Sequence, residues 1–151
     1  MRAPWSACIA AVFLAGAPTA AMPHDHATGV VKQRMELMEG LGKRMKAIAA
    51  RIRDKRDLAA IKSDARAIAA SAAHIVHMFP PDSTQHPTEA KAAIWQNWSD
   101  FERLAQALEI ESARLADMNA TDFGTFNALN GQVRAVSQTC GNCHEAYRVK
   151  R

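Results

Sequence analysis

Apolar residues recur at three- and four-residue spacing in four separate segments of this sequence, and nothing else in it limits the fold as strongly. Val31, Met38, Met45 and Ile52 repeat every seven residues, with Arg34, Leu41 and Ile48 in the intervening seam, so the first stripe is apolar except at Arg34. The charged run Arg53 to Asp57 separates it from a second stripe of Leu58, Ile61, Ala65, Ile68, Ala72, Ile75 and Phe79. Pro80 and Pro81 cannot continue a helix, so this one should stop at Phe79 and give way to a loop from Asp82 to Pro87. Thr88 is the expected N-cap of a third helix, with Ile94, Trp98, Phe101, Ala105, Leu108, Ser112 and Leu115 in its seam. The chain turns near Asn119. Thr121 or Asp122 then caps a fourth helix carrying Phe126, Leu129, Val133, Val136, Cys140, Cys143 and Tyr147, although Gly124 and Gly131 lower its propensity. Four amphipathic helices of similar length define an all-α, antiparallel up-down four-helix bundle.

The start of the chain has a different logic. Arg2 precedes an apolar stretch from Ala7 to Ala17, followed by Pro18 and the small residues Thr19, Ala20 and Ala21, the layout of a secretory signal peptide. We therefore expect residues 1–21 to be cleaved, 22–28 (with His24, Asp25 and His26) to form a flexible leader, and 29–151 to be the folded domain. Cleavage discards Cys8 and leaves two cysteines in an exported, periplasmic setting. No segment has the roughly 18 uninterrupted apolar residues of a transmembrane helix. The net charge of +4 is mild, and basic side chains are interspersed with acidic ones, which argues against nucleic acid as a partner.

Chemistry concentrates in Cys140-Gly141-Asn142-Cys143-His144, the Cys-x-x-Cys-His signature of covalent haem c attachment. Two thiols three residues apart on a helical turn can each add to one porphyrin vinyl group, and the next residue, His144, then presents an imidazole nitrogen to the iron. The plain alternative is a Cys140–Cys143 disulfide. A thioredoxin-like redox pair would need a βαβ setting, and a structural zinc site a second ligand pair; the sequence offers neither. His74 and His77, three apart on the second helix, lack an evident third ligand and are read as an exposed pair. Trp95, Trp98 and Phe101 are read as core packing rather than as an electron path.

The motif falls on the last helix of a bundle, and in this the chain resembles the cytochrome c' family, the class II c-type cytochromes. The resemblance runs from Val31 to Arg151. It is carried by Arg34 with the apolar positions after it, Phe79-Pro80 ending the second helix, Ala90 to Trp95 with Phe101 opening the third, and Cys140 to Arg148 closing the fourth. It implies one covalently bound haem c on Cys140 and Cys143, with His144 as proximal axial ligand. The residue four after the first-helix Arg, here Met38, would face the distal side of the iron, either as the ligand of the low-spin branch or as a non-bonding packing residue. Met35 stands where the family usually has Gln and is the weaker alternative ligand; Met45 is read as packing. The resemblance also implies that Arg34 pairs with a haem propionate and that Phe79 walls the distal pocket. Arg148 either shields the proximal face or acts as a helix C-terminal cation.

The expected function is that of a periplasmic electron carrier with His/Met axial ligation, not an enzyme, exchanging electrons with protein redox partners. The alternative is a five-coordinate binding or sensing module for nitric oxide or carbon monoxide. Family members often pair through the first helix, while Lys32, Glu36, Glu39, Lys43 and Arg44 make its outer surface polar, so a homodimer and a monomer both stand.

Overall fold

The computed structural model describes residues 26–119 and 125–150, and the side chain at 125 is not described. The expected signal peptide, most of the leader and the caps at Thr121 or Asp122 lie outside these residues. The helices are α1 (Gly29–Arg53), α2 (Leu58–Ala72), the single turn α3 (Ala93–Gln96), α4 (Trp98–Asp117) and α5 (Thr125–Tyr147). The four long ones form the four-helix bundle. Among the described residues there is no strand, only an isolated antiparallel bridge between Ala90 and Arg148, and no helix is long and apolar enough to cross a membrane.

The stripes become the core. Ile48, Ile61, Ile68, Phe101, Leu115, Leu129 and Val136 are fully buried where the helices meet. Around the ring α1 packs on α2, α2 on α4 and α4 on α5, whereas α1 and α5 approach each other least. Asp57 caps α2, its carboxylate accepting from Ala60 N at 3.1 Å. Asp64 of α2 ties two turns of α1 to itself by accepting from Arg44 at 2.7 Å and Arg51 at 2.6 Å.

Three junctions depart from the sequence reading. The α-ladder of α2 ends at Ala72 rather than Phe79, tightening into i→i+3 bonds such as Met78 N to Ile75 O and a 3₁₀ turn over Val76–Met78. That winding still buries Ile75 and Phe79, which is why the apolar spacing looked continuous. Thr88 does not cap a helix: its hydroxyl accepts from Ala90 N at 3.2 Å in a local turn, and helical structure begins only at Ala93. The third stripe is then broken at Asn97, whose side-chain amide donates back to Ala93 O at 3.1 Å, competing with the ladder. The break turns Trp98 outward, 37% exposed rather than in the core.

Candidate functional site

Between α1 and α5, where the bundle is least closed, lies a cavity of about 590 Å³, inside the range of roughly 300–1,000 Å³ usual for cofactor sites. The α5 wall carries Cys140, Cys143, His144 and Tyr147, which the spacing of three, one and three places on one helical face. Both cysteines are free, half-buried thiols packed against the core, not a disulfide. Burial pushes both thiols up, Cys143 to about 11. Burial, with the positive charge of Arg148, lowers the His144 pKa against a smaller opposing pull from Glu89. The imidazole is thereby favoured in its neutral, metal-ligating form.

The α1 wall presents Met35, Met38 and Met45 with Leu41 and Gly42, thioether and aliphatic groups, flanked by the polar side chains of Arg34 and Glu39. Phe79 lies in the wall too, buried, its ring edge-on to Phe101 at 4.8 Å. Two thiols, one imidazole beside them and an apolar slot facing them are the donor set and the surroundings that a covalently attached haem requires. Cys140 and Cys143 would hold the ring and His144 the iron.

Arg34 reaches the cavity, and its guanidinium is held by the segment that follows α2. Its five hydrogen bonds all end on neutral oxygens of the 78–88 segment: Nε on Met78 O at 2.9 Å, Nη1 on Ser83 O and on Thr88 Oγ1 at 2.8 Å, and Nη2 on Ser83 O and on Ser83 Oγ at 2.6 Å. The guanidinium also stacks 4.0 Å from the Phe79 ring centroid. The guanidinium donors of this buried Arg are thus met by two backbone carbonyls and two hydroxyls. Desolvation lowers its pKa, yet a guanidinium keeps its charge. Arg148 also has a partner that neither expected role supplied, Glu89 Oε2 at 2.6 Å.

Around that pair the end of α5 is fastened to the connection from α2. Lys91 N donates to Tyr147 O at 2.9 Å and Val149 N to Glu89 O at 2.8 Å. Lys91 Nζ donates to Glu145 O and Ala146 O, satisfying carbonyls at the helix C-terminus. Sequence reasoning missed Ser83, Glu89 and Asp100, whose partners lie 47 to 59 residues away in the chain. Trp95 donates to Phe79 O and Pro80 O, bracing the same segment. His74 and His77 are exposed, ring centroids 6.3 Å apart.

A bundle whose last helix offers Cys-x-x-Cys-His to an apolar internal slot defines a class, the helical-bundle haem c proteins. Comparison with known proteins narrows it: residues 29–148 match the family model for cytochrome c', and the chain belongs to that family, whose members carry one covalently attached haem c. It is 31% identical over 129 residues to cytochrome c-556 of Agrobacterium fabrum, covering 83% of this chain and 85% of that one. It is 29% identical to cytochrome c' of Rhodopseudomonas palustris over 82% of this chain and 84% of the relative. A solved structure of cytochrome c' from Rhodopseudomonas palustris superposes with a TM-score of 0.74 at 26% identity, covering 83% of this chain and 99% of that one.

Proposed function

We propose that the protein is a periplasmic one-electron carrier, not an enzyme, in which haem c iron lies between His144 and Met38 in the low-spin arrangement. Bound in the cavity, the haem supplies a reversible ferric/ferrous couple. Cys140 and Cys143 fix it to α5 and His144 offers a neutral nitrogen. Met38 carries the reading: its half-buried thioether stands in the α1 wall of the slot that α5 faces. A soft, neutral sulfur favours ferrous iron, and the Arg34 cation, whose hydrogen-bond partners are all neutral, acts in the same direction. That cation remains a suitable counter-charge for a propionate at the cavity edge. Export rests on the signal-like residues 1–21, and the counterparts of the carrier are protein redox partners, met as a monomer or a homodimer.

A second reading has its own support. Around Met38 the α1 wall is built of Met35, Leu41, Gly42 and Met45, apolar surroundings that suit a five-coordinate iron that takes up an apolar diatomic gas under Met38 as a steric lid. Solved structures similar in fold include a nitric oxide complex of a variant cytochrome c' from Alcaligenes xylosoxidans, at 24% identity and TM-score 0.69. Absorption spectra of the haem-loaded protein separate the two. A ferric spectrum with the weak long-wavelength band of sulfur-bound iron, lost in Met38→Ala, supports the carrier. A high-spin spectrum that shifts with carbon monoxide and ignores Met38→Ala overturns it.

A further inference from the structure

One carboxylate of the cavity wall comes from outside the long helices. Glu89 lies on the connection between α2 and α3 and lines the cavity together with His144 and Arg148. Its Oε2 accepts from Arg148 Nε at 2.6 Å, and its side chain is 21% exposed against 51% for that of the arginine. Arg148 follows His144 by one turn, its backbone N–H donating to His144 O at 3.0 Å, so guanidinium and imidazole start from neighbouring rungs of one ladder. The position of Glu89 is fixed by backbone as well: its carbonyl accepts from Val149 N at 2.8 Å, and Ala90 bridges to Arg148. Both charges are felt at the imidazole, Arg148 lowering the His144 pKa more than Glu89 raises it. Arg34, the other arginine of the cavity wall, hydrogen-bonds to neutral oxygens, and Glu39, the other carboxylate, meets Lys43 at 2.6 Å near the solvent. Of the two arginines, Arg148 is therefore the one held by a carboxylate.

We propose that Glu89 sets the ferric/ferrous balance of the haem, by partly offsetting the positive charge that Arg148 places beside His144. The proposal rests on haem c in the cavity with His144 on its iron, and it holds whether Met38 binds that iron or only covers it. Its basis is charge. Ferric iron carries one positive charge more than ferrous iron, so a neighbouring cation favours the ferrous state and a neighbouring anion the ferric. Inside a protein, where the effective dielectric constant is far below that of water, such charges act on a metal from outside its own ligands. An isolated Arg148 would therefore favour ferrous iron, in the same direction as Arg34. The Glu89 carboxylate opposes it, and being the less exposed member of the pair it is screened less by solvent. The net charge behind the imidazole is then a property of two residues 59 positions apart, one on the helix that bears the haem and one on the connection clasped to its end.

The test is spectroelectrochemical titration of the haem-loaded protein and its variants, which reads the ratio of ferrous to ferric haem at a fixed potential. Glu89→Gln keeps the size of the side chain and removes its charge. It should raise that ratio at least about threefold, roughly 28 mV in midpoint at about 59 mV per tenfold for one electron. Arg148→Gln should lower the ratio, and the two substitutions together should return it to within about twofold of the native protein. Glu89→Asp, which keeps the charge, should restore most of the native value. The backbone bonds of Glu89 do not need its carboxylate, and far-ultraviolet circular dichroism checks that each variant is folded. The absorption spectrum in the same cell reports the ligand opposite His144 separately, so a wrong assignment of Met38 is told apart from a wrong assignment of Glu89. A ratio unchanged or lowered in Glu89→Gln overturns the proposal. So does a shift in the same direction in Glu89→Gln and Arg148→Gln, because loosening the clasp would move both alike whereas opposite charges move them apart.

Discussion

Replacing Arg34 should cost the fold more than replacing any other charged residue of α1. Hydrogen bonds from a charged donor contribute about 1.5–3 kcal/mol each, and this side chain makes five to the 78–88 segment. The sum is not the net effect, because the same burial that lowers the Arg34 pKa charges the folded state for desolvation. Leaving a buried neutral acceptor unsatisfied costs about 1–3 kcal/mol. Here several such oxygens are left behind but can admit water, which sets about 3 kcal/mol in all for Arg34→Ala. For a domain of this size that is a fall in Tm of about 10 °C. The assay is urea unfolding of the ferric, haem-loaded protein by far-ultraviolet circular dichroism, with the midpoint moving and the slope unchanged. Arg34→Lys keeps the charge but loses the planar fork and should recover no more than about half. A double-mutant cycle with Ser83→Ala should show a coupling of about 1 kcal/mol. A loss within about 0.5 kcal/mol for Arg34→Ala, the scale of a surface substitution, or full recovery with Lys, would refute the assignment of a structural clamp.

Other expectations follow from the same geometry. Asp64→Ala leaves Arg44 and Arg51 facing each other without their shared acceptor and should destabilise by about 1 kcal/mol, less at high salt, in urea titrations at two ionic strengths. Hydrogen bonds from Arg103 and Tyr147 hold the Asp100 carboxyl below its usual range, so its stabilising contribution is present at neutral pH and fades as the pH falls below about 4. The gap in urea midpoint between the native protein and Asp100→Asn should therefore close in acid. Intact mass spectrometry of protein matured in a host competent for haem c attachment should show one added haem, and Cys140→Ser with Cys143→Ser should show none. If that double variant still carries covalent haem, the attachment residues are wrong.

The parts of this molecule that could be read in advance are those encoded locally. Heptad spacing specified four long helices because burial of one face is decided within each segment, and Cys140, Cys143 and His144 share a helical turn. The engagement of Arg34 was illegible for the opposite reason: its acceptors are two backbone carbonyls and two hydroxyls 44 to 54 residues away, and such distant pairings carry no sequence signature. The Arg148–Glu89 pair spans 59 residues and was hidden in the same way. Thr88 does have the chemistry of a cap, but its hydroxyl is spent on Arg34 and a local turn. The outward turn of Trp98 hinges on Asn97, a single polar residue in an otherwise regular stripe, and periodicity alone does not weigh such a break.

The clasp that binds residues 147–149 to 89–91 concerns the one turn of helix that ordinarily frays. A side chain borne on a loose terminus shares in every motion of that terminus. With Lys91 Nζ seated on the final carbonyls and backbone bonds on either side of Arg148, the turn that carries His144 is fastened at its end rather than left to fray, and the imidazole stands on a fixed footing.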